Sequence, residues 1–365
     1  MPYSVAIVGG GWYGCHIALS LHNLGFEVQL YEKSGRLLND ASGNNQFRLH
    51  MGFHYARHQQ TRQQSRDGYF RFLERYPELS APIAQNVYAI PHGQSLIDFP
   101  TYKLIMSSSG MDFVESAQPV PGLVDIEGAL LVPERVILLS EARALFSQRL
   151  APVMALDTAI EAIEERDDEV VINGRRFDFV IDATWGHLTR PAIDCIYEPT
   201  MLLYYEAADR FPAITLVDGP LCSVYPTEDP HVYTLSSVPH TPLGQVRDPA
   251  AAIALRDGVT GETVQAKRAA MEAQIMRNLP GFRDHFRFLG IQLSIKTKPT
   301  GAADDRSCYV ERRGRRFIVM SGKIDTIFHA TERILGEIAT GRLDTHRPSE
   351  ALIRNDILMA PGEGA

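Results

Sequence analysis

The chain has 365 residues, 45% hydrophobic and 22% charged, with a formal net charge of −8. That length exceeds what one core usually fills, so two domains or a two-lobed molecule is expected. The basic residues are scattered, which argues against nucleic acid as the main partner. No apolar run approaches the roughly 20 residues of a membrane span, and the chain enters a strand at once, leaving no room for a signal or transit peptide. These features point to a cytoplasmic protein acting on a small molecule, as a monomer or homo-oligomer. The four cysteines, Cys15, Cys195, Cys222 and Cys308, lie far apart with no C-x-x-C pair, so neither zinc nor a disulfide framework is suggested.

Residues 4–8 form a short apolar run, the pattern of a buried parallel strand, and lead into Gly9, Gly10, Gly11, Trp12, Tyr13, Gly14, a G-x-G-x-x-G turn. Gly9 permits the tight turn, Gly11 lets backbone approach a pyrophosphate, and Gly14 lets the next helix pack close to the sheet. Tyr13, between them, joins the cofactor-contact candidates. Residues 15–24 read as a helix closed by Gly25, and residues 26–31 as a second strand ending at Glu32, 18 positions past Gly14. A carboxylate there can accept hydrogen bonds from the ribose of an adenine dinucleotide and would repel the extra phosphate of NADP.

Residues 33–46 are rich in turn formers. Residues 47–55 alternate, placing Arg48, His50, Gly52 and His54 on one side of an expected strand. Residues 61–76 predict an amphipathic helix capped by Thr61 and stopped before Pro77. Between 82 and 120 the pattern is strand-like, near 87–90 and 102–106, and 122–131 has the same look. Residues 133–150 read as helix. Strands are expected at 157–164, 169–172 and 177–181, the last ending in Asp182, Ala183, Thr184, Trp185, Gly186. A β-rich stretch covers 199–237. A helix follows at 264–278, then strands near 286–295, 308–311 and 317–320, with Arg312, Arg313, Arg315 and Arg316 around Gly314 as a hairpin tip. Asp304-Asp305-Arg306 reads as a charged turn, and a last helix runs to 338 after Ser321-Gly322-Lys323-Ile324.

Four pieces, taken together, resemble the D-amino acid oxidase or glycine oxidase-like FAD-dependent oxidoreductases. They are the unit from Gly9 to Glu32, the segment 42–55 with its His50-x-Gly52 core, the pair 157–164 and 180–186, and the carboxy-terminal strand and helix around Gly322. Trp185 interrupts the family's Ala-Thr-Gly turn, and Lys323-Ile324-Asp325 replaces its glycine- and histidine-rich turn, which leaves the substrate open. The resemblance implies an α/β fold: a glutathione-reductase-type, Rossmann-like FAD domain with an inserted antiparallel β-sheet substrate domain. The FAD domain would comprise 1–80, 140–190 and 300–365, and the substrate domain 81–139 and 191–299.

The same resemblance assigns Ser42 and Asn45 to the pyrophosphate and ribityl chain, Ile160 to the adenine, and Ala183 and Thr184 to the carboxyl edge of the sheet. It sets the backbone N–H groups of Gly322, Lys323 and Ile324, at a helix start, against the flavin ring. Arg48 on a ring-facing strand would raise flavin electrophilicity or clamp a substrate carboxylate; the competing assignment is a surface ion pair. His50 and His54 are candidates for a substrate hydrogen bond, a base or covalent flavin attachment, or else structural histidines. Tyr225 and Tyr233 fall in the substrate lobe. The expected activity is oxidation of a small amine or amino acid by hydride transfer to flavin N5, with oxygen as reoxidant. Oxidation of a 2-hydroxy acid and a non-catalytic nucleotide-binding module are the alternatives.

Overall fold

A computed structural model describes residues 3–116, 120–300 and 306–343; Asp304 and Asp305 lie outside them. The strand Ser4–Val8 pairs in parallel with Glu27–Tyr31 on one side and Phe179–Asp182 on the other. With both edges paired and both faces covered it must be apolar where it is buried, as it is from Val5 to Val8. The sheet has six strands, in the order Tyr309–Arg313, Arg316–Met320, Phe179–Asp182, Ser4–Val8, Glu27–Tyr31, Met154–Ala155. The helix Trp12–Asn23 begins directly after Gly11 and buries every residue from Trp12 to Leu21. It is enclosed by the helices Leu139–Leu150 and Ile327–Leu343.

A second, eight-stranded sheet runs Phe286–Pro299, Cys195–Ala207, Val232–Ser237, Cys222–Pro226, Ala213–Leu216, Asn86–Pro91, Ile126–Leu131, Val114–Ser116. Its longest ladder is antiparallel, from Cys195 opposite Pro299 to Ala207 opposite Phe286. The helix Gly261–Ile275 covers one face, closing a separate core of Met201, Leu203, Tyr205, Met271, Ile275 and Phe282.

Several elements differ from the sequence reading. Residues 102–106 belong to the helix Phe99–Ser108, because Asp98 caps Thr101 N–H at 2.8 Å and Pro100 sits in the first turn. The stretch 157–164 is irregular until Glu164: Asp157 has φ +50°, and the N–H groups of Asp157 and Thr158 bond the carbonyls of Ser34 and Glu32 instead of a neighbouring strand. Residues 133–150 split into the strand Arg135–Ile137 and the helix Leu139–Leu150. The helix Gln59–Arg75 is capped by the His58 ring, which accepts the Thr61 N–H.

The expected strand over 47–55 shortens to Arg48–Leu49, paired with Arg135 and Val136. Beyond it the Met51 N–H goes to the Glu134 carboxylate, and Gly52, at φ +110°, turns the chain. A Cβ on Gly52 would meet Met111 and the Arg62 carbonyl, so this glycine makes room for the neighbouring helix and not for a ring or substrate.

Candidate active site

The glycine turn is shaped by contacts too close for any side chain. A Cβ on Gly9 (φ +105°) would lie 2.9 Å from the Ala183 carbonyl oxygen, one on Gly14 1.8 Å from the Gly9 oxygen, and one on Gly11 2.7 Å from Ser42 Oγ. Ser42 Oγ accepts the Trp12 N–H at 3.2 Å and so stands at the helix N-terminus. Glu32 is buried, and its two carboxylate oxygens accept the Gly10 and Ser34 N–H groups at 2.7 and 2.8 Å. Thus the acid at the end of the second strand also braces the turn, with lone pairs to spare.

From Trp12, Tyr13 and Ser42 a cavity of about 320 Å³ runs past Gln46, Arg48, His50 and Tyr55 to Trp185, Lys296 and the turn Ser321–Ile324. Tyr13 is the strut between its ends: its hydroxyl donates to the Lys323 carbonyl at 2.7 Å and lies 2.6 Å from Thr326 Oγ1. Gly322 leaves space for the Trp185 indole, which a Cβ would meet at 2.5 Å. Trp185, which the sequence marked only as an interruption, therefore forms a wall, held at φ +59° while its carbonyl accepts Thr297 Oγ1. The buried Asp182 carboxylate fixes this turn through the N–H and hydroxyl of Thr184 and the N–H of Thr189.

The far end of the cavity is a buried polar network around Arg48. Arg48 is 4% exposed, which excludes a surface ion pair. Its Nη1 donates to Tyr88 Oη and Thr215 Oγ1, both at 2.7 Å, and its guanidinium lies 4.0 Å from the centre of the Tyr225 ring. Its Nε and Nη2 are buried without a hydrogen-bond partner among the described residues. Tyr88 Oη donates to Glu134 Oε2 at 2.6 Å. Burial opposes ionisation of Glu134, but His50, Arg48 and the Tyr88 hydroxyl outweigh it and bring its carboxyl down to about 2. His50, 3.8 Å from that carboxylate, is held below its ordinary pKa by burial and by the charge of Lys323. It is therefore a neutral imidazole at pH 7, able to take a proton.

Lys323 is buried, bonded to Ser65 Oγ at 2.8 Å and stacked 3.7 Å over the Tyr55 ring. Lys296, on the long strand, has no hydrogen-bond or ion-pair partner among the described residues, and burial beside Lys298 brings its ammonium down to about 8.

Other candidates sit elsewhere. Asn45 spends its side chain on its own loop, bonding the carbonyls of Ala41 and Ser42 and the Phe47 N–H, though the residue lines the cavity. Ile160 packs, from irregular backbone, against the apolar cluster that includes Val8, Tyr31 and Val180, and does not line the cavity. His54 lines a neighbouring chamber, with Nδ1 unpartnered. Tyr233 is in the core of the eight-stranded sheet, its hydroxyl bonded to both backbone groups of Phe211, and does not reach the cavity. Glu134, Tyr88, Thr215 and Lys296 were not anticipated. Only Lys296 had a signal, in lysines two apart at the end of a strand (Lys296, Lys298).

Residues 4–322 match the family model described as "FAD dependent oxidoreductase". The chain belongs to this family. The oxidoreductase is 60% identical, over 92% of its own length and 91% of the relative's, to the FAD-dependent monooxygenase FPY4 of Fusarium mangiferae. In fold it is similar to glycine oxidase from Geobacillus kaustophilus (TM-score 0.70, 15% identity, 95% and 96% of the two chains). It is also similar to L-proline dehydrogenase from P. horikoshii (TM-score 0.69, 14% identity, 92% and 94%). FAD is accordingly the oxidoreductase's cofactor, and the side chains present fit it: a turn with no room for Cβ atoms, a helix N-terminus open to the cavity, and orphaned donors on Arg48 at the far end. Among the described residues there is no cluster suited to a metal ion and no helix long and apolar enough to cross a membrane.

Proposed function

We propose that the oxidoreductase oxidises a small carboxylate-bearing substrate, an amino acid or amine-containing acid, in the chamber bounded by Arg48, His50, Tyr55, Lys296 and Lys323. The observation that carries this is the charge of the walls. Cations ring the chamber; of the buried acids beside them, Glu134 is already committed to Tyr88 and Met51 and Asp325 faces Lys323 at 3.8 Å, which leaves Arg48 and Lys296 without a carboxylate partner among the described residues. An anionic substrate is the complement. Glu32 and the Gly9–Gly14 turn hold the adenosine and pyrophosphate, Ser42 meets the phosphate end, and the Gly322–Ile324 backbone meets the ring. When bound, FAD supplies the two-electron acceptor, taking hydride at N5. Arg48 orients the carboxylate with its free Nε and Nη2, and neutral His50 accepts the proton leaving the substrate nitrogen.

The same base and clamp would serve a 2-hydroxy acid, whose hydroxyl proton goes to His50. A second reading is favoured by the 60% identity to a protein named a monooxygenase, in which one oxygen atom enters the product. Anaerobic flavin reduction screened across amino acids, N-methyl amines and 2-hydroxy acids tests the proposal, and bleaching by an amino or hydroxy acid is the expected result. Bleaching by NADH or NADPH alone, with labelled oxygen appearing in the product, would replace it with the monooxygenase reading. Protein that retains FAD but is bleached by none of these is not an oxidase of such acids.

A further inference from the structure

Next to the first cavity lies a chamber of about 440 Å³, within the usual range of ligand pockets. The two share Gln46, Tyr55, Lys296, Lys298 and Arg306 as walls, so Lys296 stands at their junction. Lys298 is paired with Glu198, whose other oxygen takes Gln245; the Lys296 ammonium has no such partner among the described residues. Away from the junction the walls combine the buried apolar side chains of Leu202, Leu216, Val217 and Leu221 with the hydroxyls of Ser223, Ser236, Ser237 and Thr241. On the outer lip stand Leu96 and Val238, 59% and 56% exposed. Large apolar side chains left open on the lip of a pocket have a reason when something apolar passes between them. The ion pair of Arg57 with buried Asp218 crosses the same chamber and ties the loop after Tyr55 to the substrate sheet.

A short amino acid held at Arg48 would reach none of this surface. We propose that the side chamber is a substrate subsite, and that the substrate is an elongated acid that carries, besides the carboxylate held at Arg48, a second anionic group meeting Lys296 and an apolar body running outward past Leu202 and Leu221 between Leu96 and Val238. This deepens, and rests on, the assignment of the first cavity as the oxidation site. It adds the requirement of a body too long for that cavity alone. An uncompensated ammonium at the junction gains most from a carboxylate because both are partly out of water there.

Calorimetric titration of the FAD-loaded full chain with acetate, butanoate, hexanoate, octanoate and octylamine tests this without turnover. Burying each methylene is worth roughly 0.8 kcal/mol, so Kd should fall about fourfold per added CH₂ until the chamber is full. Octylamine should bind at least tenfold more weakly than octanoate, and Lys296→Met should erase that preference. Val238→Asp, at an exposed position that spares the fold, should weaken octanoate at least tenfold more than acetate. A Kd independent of chain length, or equal losses of acetate and octanoate in Val238→Asp, overturns the subsite. If chain-length dependence holds while no amino or hydroxy acid bleaches the flavin, the subsite stands and the oxidation reading alone fails. Bleaching by such acids with no chain-length dependence fails the subsite alone.

Discussion

The two ends of the cavity are built by different means. At the glycine-turn end almost every constraint is a backbone group. Gly9 abuts the Ala183 carbonyl, the Gly10 and Ser34 N–H groups meet Glu32, and Trp12 N–H meets Ser42. At the Arg48 end the constraints are side chains gathered from far along the chain, such as Arg48 and Thr215, 167 positions apart. A surface made of backbone sets shape, and shape suffices for a phosphate. A surface made of buried charge sets reactivity, and it carries its need openly, in guanidinium nitrogens and histidine nitrogens without partners. Tyr13 joins the ends across 310 positions, so a ligand spanning the cavity is held by one rigid piece.

The sharpest way to break the glycine-turn end is steric. Gly11 has φ −77°, which valine tolerates, so Gly11→Val should fold; its new side chain meets Ser42 Oγ and fills the approach to the helix N-terminus. The expected product is a largely colourless apoprotein, read from the flavin absorbance of purified material. Full flavin content would show that the turn is not where the phosphates pass.

At the other end the expected effect is on rate. Arg48→Ala removes a desolvated cation, a loss of typically ~2 to 4 kcal/mol of transition-state stabilisation, or roughly thirty- to a thousandfold. Arg48→Lys keeps the charge but loses the planar fork, and should fall between the two.

His16 sharpens the comparison, as a buried histidine that belongs to neither end. It sits between Tyr76 and Phe328, and burial together with the charge of Arg75 brings its pKa from 6.5 to about 3. Between those values the unfolded chain binds a proton that the folded chain does not, so stability must fall as pH drops below about 6.5. At pH 5 the cost is about 2 kcal/mol. His16→Phe should lose less stability than wild type between pH 7 and pH 5, by that amount, in denaturant titrations. Equal losses would place a protonated imidazole in the folded core. The smallest effect is expected from Glu32→Ala, a tenfold loss of FAD retention, on the order of 1.4 kcal/mol.

The glycine-turn end was legible because its logic is local: strand, glycines, helix, strand and acid follow in order within the first 32 residues. The strand through 47–55 was misread because its alternation is real but its partner ends at Arg135–Ile137, so only Arg48–Leu49 pairs and Glu134 takes the next N–H. Residues 102–106 alternate too, yet the Asp98 cap and Pro100 outweigh that pattern. Glu134 and Thr215 give no local sign of their role, since burial and the neighbourhood of Arg48 exist only after the two sheets meet. Tyr233 shows the converse, a tyrosine in a plausible stretch whose hydroxyl is satisfied by Phe211.

The division of labour between the ends is tested most directly by crossing two variants with two readouts. Glu32→Ala and Arg48→Ala are each measured for FAD dissociation and, on the flavin that remains bound, for stopped-flow anaerobic bleaching by an accepted substrate. Glu32→Ala should lose FAD about tenfold more readily while its bound fraction bleaches at the wild-type rate. Arg48→Ala should retain FAD and bleach at least roughly thirtyfold more slowly. Wild-type bleaching in Arg48→Ala, or slowed bleaching in Glu32→Ala with retention intact, would overturn this division of labour.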